Sequence, residues 1–82
     1  MNEQEILSNL TDIVRDVLDD PDFAVSRETS ATDHPEWDSF NHINIIAAAE
    51  MRFGIKFHAL ELDVLRNVGD FITLVARKKQ AA

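Results

Sequence analysis

The chain has 82 residues, a formal charge of −7, 45% hydrophobic residues, two glycines, two prolines and no cysteine. That composition describes one folded domain, residues 1–82, close to the lower limit at which a single core is stable; its acidity argues against nucleic acid or an anionic membrane as partner. The missing cysteine excludes disulfides, thiolate metal ligands and a cysteine nucleophile, and with no membrane-length apolar run or signal-peptide pattern the expected address is cytoplasmic.

The first segment, Glu3 to about Leu18, reads as an amphipathic helix. Ile6, Leu10, Ile13 and Val17 form an apolar row with Leu7, Val14 and Leu18 beside it. Asn2 stands where an N-cap belongs, and Glu3 and Glu5 suit the positive end. From Asp19 to Trp37 the periodicity fails. Asp19-Asp20-Pro21-Asp22 starts a turn, and Ser26, Thr29, Ser30, Thr32, Asp33 and Pro35 prevent any sustained element. A loop this long in so small a chain is often functional. Phe23, Val25 and Ala31 are the residues expected to pin it to the core, with Trp37 packed at its end.

A second helix starts at Ser39 with Asp38 as its N-cap and ends near Phe53, where Gly54 is placed to adopt a left-handed conformation. Phe40, Ile43, Ile46, Ala47 and Phe53 follow helical spacing and are expected to face the core. Ile45, Ala48 and Met51 lie off that stripe and are expected to include exposed positions. The segment from His58 to about Leu65 is short, and the alternation of Leu60, Leu62 and Val64 leaves strand and helix both open. Asn67 then reads as the N-cap of a last helix, with Asp70 as its reciprocal partner. Val68, Phe71, Ile72 and Val75 are its core positions. Arg77, Lys78 and Lys79 suit its negative end, and Gln80-Ala81-Ala82 are expected to fray.

Ser39 is the residue with chemistry to offer. At a helix start, free backbone N–H groups and the positive end of the dipole favour a phosphate ester on a side chain. Asp and Ser are also ordinary helix-start residues, so the pair alone decides nothing. The three histidines, His34, His42 and His58, share no i, i+4 pair and have no cysteine with which to complete a zinc site. His42, three residues after Ser39, is either a plain surface histidine or a source of positive charge for a phosphate there. Nothing in the sequence builds an oxyanion hole, so no Ser–His–Asp catalyst is expected.

Trp37-Asp38-Ser39-Phe40-Asn41-His42-Ile43, Ala49-Glu50-Met51-Arg52-Phe53-Gly54-Ile55 and Asn67-Val68-Gly69-Asp70-Phe71-Ile72 together resemble the acyl carrier protein family across essentially the whole chain. The family's Asp-Ser-Leu motif stands here as Asp38-Ser39-Phe40. The resemblance implies an all-α fold: a small four-helix bundle of three longer helices and one short one, with a long loop between the first two. It makes the segment after His58 the short helix. It also implies 4′-phosphopantetheine on Ser39, installed from coenzyme A by a phosphopantetheinyl transferase, with Asp38 presenting the serine and Phe40 anchoring the turn beneath it. Acyl groups then ride on the arm's thiol as thioesters, and the chain is a monomeric carrier, not an enzyme. Its partners are enzymes that load and transfer acyl groups and dock on the second helix.

In fatty-acid carriers that helix is commonly rich in Asp and Glu. Here residues 1–38 hold eleven acids against two bases, a balance of −9, while residues 39–82 hold four acids against six bases, a balance of +2. The second helix carries only Glu50 and Arg52. Docking is therefore expected to rest on Ile45, Ala48 and Met51 and on hydrogen bonds from Asn41 and Asn44. That pattern suits a specialised carrier of a lipid, polyketide or cell-envelope pathway better than the primary fatty-acid carrier. Two alternatives stand beside it: an aminoacyl or peptidyl carrier with the same arm, and a helical adaptor whose Ser39 is never modified.

Overall fold

The computed structural model describes residues 2–81, and among them every extended element is helical. Helix α1 spans Glu3–Val17, α2 Ser39–Phe53, α3 Ala59–Asp63 and α4 Val68–Ala81, with one short 3₁₀ turn at Ala31–Asp33 in the loop before α2. Each long helix begins where its sequence provides an acceptor for otherwise unpaired N–H groups. The Asn2 side chain accepts from the Glu5 N–H at 2.8 Å, while Asn2 N–H donates back to the Glu5 carboxylate. Asp38 accepts from the Asn41 N–H at 2.9 Å and opens α2. Gly54, at φ 66°, closes it in the left-handed region that a residue with a Cβ enters only at a cost.

The start of α4 differs by one residue from the expected reciprocal cap. Asn67 does accept from the Asp70 N–H at 2.9 Å, but the Asp70 carboxylate accepts from Arg66 N–H, not from Asn67. At the other end α4 is helical through Ala81, which includes two of the three residues expected to fray; Ala82 lies outside the described residues.

Helix α1 lies against both α2 and α4. Ile6, Leu10 and Val14 of α1, Ile45 of α2, and Ile72 and Val75 of α4 are the largest side chains wholly removed from water. Burial of such aliphatic groups at roughly 25 cal/mol per Å² is the main favourable term in the fold. The short α3 buries no residue of its own. A hydrogen bond from His58 N–H to Glu61 supports its start, and a 2.8 Å ion pair between Glu61 and Lys78 ties it to α4. Glu61 also has its pKa lowered, first by the Lys78 hydrogen bond and then by that from the His58 backbone. Lys79 reaches from α4 to the Phe53 carbonyl at 3.1 Å, satisfying an acceptor at the end of α2.

The long loop is held by specific bonds. Arg15 Nε donates to the Phe23 carbonyl at 2.8 Å, and His34 Nε2 meets Asp20 at 3.0 Å with the Phe23 ring edge-on to the imidazole. Thr29 is the buried polar residue of the loop, its hydroxyl accepting from Ser26 N–H at 2.9 Å. Two loop carbonyls then accept from the free N–H groups at the start of α4: Val68 N–H donates to Thr29 at 2.8 Å and Gly69 N–H to Arg27 at 2.7 Å. A Cβ at position 69 would stand 3.0 Å from that Arg27 oxygen, so a side chain there would push the loop carbonyl back by a few tenths of an ångström. Phe23 and Val25 pack against the core as expected, whereas Ala31 is exposed, because the backbone ties carry the loop at Arg27 and Thr29 instead.

Candidate functional site

Ser39 is the first residue of α2 and its side chain is exposed. Asp38, beside it, uses its carboxylate on Asn41 N–H and its carbonyl on His42 N–H at 2.8 Å. The N–H groups of Ser39 and Phe40 have no acceptor among the described residues. The serine hydroxyl thus stands next to two free donors at the positive end of a 15-residue helix, a setting that suits an anionic ester on Oγ.

Behind this turn the loop closes on the helix. Asn41 Nδ2 donates to the Glu36 carbonyl at 2.7 Å, and the indole N–H of Trp37 donates to His42 Nδ1 at 3.0 Å. Trp37 is buried at the loop's end, as its size and position suggested. The partnership with His42 went unpredicted, although a buried indole N–H requires an acceptor and His42 is five residues on. His42 itself is half-buried, and burial lowers its pKa. Burial and the acceptor role of Nδ1 both favour the neutral ring over the positively charged one that its position three residues after Ser39 also allowed. His34 lies in the loop against Asp20 and His58 at the start of α3, each apart from this site.

The outward face of α2 differs from the expectation. Ile45 is 1% exposed and belongs to the core with Ala49 and Phe53, so it is not available for docking. Phe40, 72% exposed, does not anchor the turn beneath Ser39, and Ile43 at 64% and Ala47 are also turned to solvent. The reason is geometric. With apolar residues all round α2, spacing alone gives no phase, and the line Ile45, Ala49, Phe53 faces α1 in place of the line Phe40, Ile43, Ala47. Asn41 is engaged with Glu36, and Ala48 is partly covered against the core, which leaves Asn44 and Met51 as the exposed members of the expected docking set. Met51 is 86% exposed.

The charges of α2 are turned elsewhere. Glu50 accepts from Phe57 N–H at 2.8 Å, and Arg52 donates to the Asn9 side chain at 2.7 Å. The face formed by Phe40, Ile43, Asn44, Ala47 and Met51 carries no charge. Leu60 and Val64, on and just after α3, are exposed as well.

No protein-family model matches the chain. Individual proteins do. It is 32% identical over 82 residues to the acyl carrier protein of Acidothermus cellulolyticus, covering all of this chain and 98% of that one. It is 35% identical over 75 residues to the acyl carrier protein of Beutenbergia cavernae, covering 92% of each. The meromycolate extension acyl carrier protein of Mycolicibacterium aurum is 28% identical over 79 residues, 96% of this chain and 81% of that one. Among solved structures, the solution structure of a holo acyl carrier protein from Geobacter metallireducens superposes with a TM-score of 0.83 at 47% identity, covering 88% of this chain and 83% of that chain.

Proposed function

The chain belongs to the acyl carrier protein family, and on that premise we propose that it carries acyl groups on a 4′-phosphopantetheine arm esterified to Ser39. The observation that carries the assignment is the exposed Ser39 hydroxyl at the start of α2, beside unpaired N–H groups. When attached, the arm supplies the thiol that this cysteine-free chain lacks. Installation by a phosphopantetheinyl transferase forms an Oγ–phosphorus bond, breaks the anhydride of coenzyme A and releases its nucleoside bisphosphate, with the serine proton passing to the solvent or the transferase.

The chain's own contributions are positional. Asp38 fixes the first turn of α2 and so the direction of the Ser39 side chain. The free N–H groups of Ser39 and Phe40 offset the charge of the phosphodiester. Partners that load and transfer acyl groups meet the uncharged face of Phe40, Ile43, Asn44, Ala47 and Met51, a set corrected from the one the sequence suggested. An apolar face is desolvated on docking and holds a partner with little long-range attraction. In this reading the chain is a monomeric, cytoplasmic carrier without catalysis of its own, in a specialised lipid, polyketide or cell-envelope pathway. The uncharged outward face of α2 and the meromycolate extension relative both support the specialised role.

The test is intact-protein mass spectrometry after incubation with coenzyme A and a broad-specificity phosphopantetheinyl transferase, with Ser39→Ala as control. The expected result is one phosphopantetheinyl group on the wild-type chain and none on the variant. A folded wild-type chain that gains nothing overturns the reading in favour of an unmodified adaptor.

A further inference from the structure

Trp37 and His42 make a site of their own beside Ser39. Trp37 is the one tryptophan of the chain. Its indole N–H can only donate, so at 3.0 Å from His42 Nδ1 it fixes that nitrogen as the acceptor. The imidazole proton is thereby placed on Nε2, which makes no hydrogen bond among the described residues and, since no buried side-chain nitrogen among them lacks a partner, is reached by water. A donor with its tautomer already set loses little freedom when it binds.

The two rings also line a cavity of about 60 Å³ between the loop, the first turns of α2 and the start of α4. Trp37, Leu65, Val68 and Phe71 give it an apolar wall, while Thr29, Ser30, Arg66 and Asn67 are its polar members. At roughly 10–15 Å³ per water-sized probe, it takes a short stretch of chain and not a long acyl tail. The apolar wall and the preset neutral donor together suit a ligand segment in which methylenes flank an amide, and Arg66 and Asn67 add donors for its carbonyls. An anionic ligand at Nε2 would favour the imidazolium, which loses the bond to Trp37 because its Nδ1 becomes a donor.

We propose that His42 is a positioning residue for the arm on Ser39: its Nε2–H donates to an amide carbonyl of the arm and holds that segment in the cavity walled by Trp37. This rests on the carrier reading above. The site sets the direction in which the arm leaves α2, and partners must draw the arm out of it before acting on the thiol end.

The experiment compares the wild-type chain by NMR before and after arm installation, with loading verified by mass. The single indole N–H signal and the His42 imidazole nitrogens are the probes. On loading, the indole signal is expected to shift and the Nε2 proton to become slow to exchange with water. Contacts between arm protons and the Phe71 and Leu65 side chains are expected in the wild type and in His42→Gln, which keeps a donor and an acceptor, and are lost in His42→Phe. A fully loaded wild-type chain whose indole and imidazole signals match the unloaded chain overturns the proposal, as do arm contacts that persist unchanged in His42→Phe. A wild-type chain that never gains the arm overturns the carrier reading, and this proposal with it.

Discussion

Helices α1 and α2 are each 15 residues long and both lie on the core, yet they place their apolar residues differently. In α1, Ile6, Leu10, Ile13 and Val14 are buried, Leu7 and Val17 pack against them, and the opposite face is polar. In α2, the buried line Ile45, Ala49, Phe53 is matched by an exposed one of Phe40, Ile43, Ala47 and Met51. Folding accounts for the first helix completely. It leaves a surplus on the second, and an apolar surface uncovered beside the candidate attachment residue is one that a partner covers.

The largest effect that tests this contrast comes from two substitutions on α2 itself. Ile45→Ala empties a fully buried site and is expected to cost about 2–5 kcal/mol of stability. Ile43→Ala removes an exposed side chain and is expected to cost about 0.5 kcal/mol or less. Urea denaturation of the two variants reads the difference directly, and equal losses would mean that the two faces of α2 have been assigned the wrong way round.

A smaller effect follows from His42. Burial lowers its pKa below the ordinary histidine value of about 6.5, so as pH falls the unfolded chain takes up the proton first. The stability that His42 contributes is complete above that ordinary value. It is lost as pH falls from there through the folded-state value. Denaturation at pH 7.5 and pH 5.5 is expected to show the wild type losing more stability than His42→Gln. An identical pH response in the two chains would remove the link between this histidine and the fold.

The smallest expected effect is on partner binding as salt is raised. Because the exposed face of α2 carries no charge, kcat/KM for arm installation is expected to change less than about threefold between ~50 and ~500 mM NaCl. A fall of about tenfold or more would assign recognition to the acidic residues of α1 and the loop, where attraction is long-range and screened.

Sequence patterns resolved the local features well and the relative ones poorly. The Asn2 and Asp38 caps, the Gly54 stop and the buried stripe of α1 were all legible, because each depends on residues within a turn or two. The orientation of α2 was not, because a helix apolar on every side has no phase until α1 selects one. Two bonds reported only by the fold fall in the same class. Thr29 and Arg27 hold the loop through backbone carbonyls, which no side-chain pattern announces. The Trp37–His42 bond had a signal, since a buried indole needs an acceptor, but the identity of that acceptor depended on how the loop meets α2. At the candidate site, the position of Ser39 at the first turn of α2 was readable from Asp38 and the apolar run behind it, while the uncharged face beside it emerged only when Glu50 and Arg52 were seen turned away.

The two bonds from Val68 and Gly69 to the loop have a consequence for how the chain tolerates insertion. They staple residues 27–29 to the mouth of α4, so the long connection behaves as two short tethers with a fixed point between them. Extra residues placed near Asp22 lengthen only the first tether and leave the staple in register. The same residues placed between Arg27 and Thr29 shift one carbonyl relative to the other, and α4 loses a partner for one of its opening N–H groups. A tag or foreign segment grafted into this protein therefore belongs at the exposed Pro21–Asp22 position, between the ties at Asp20 and Phe23, where added length does not touch the helix that closes the bundle.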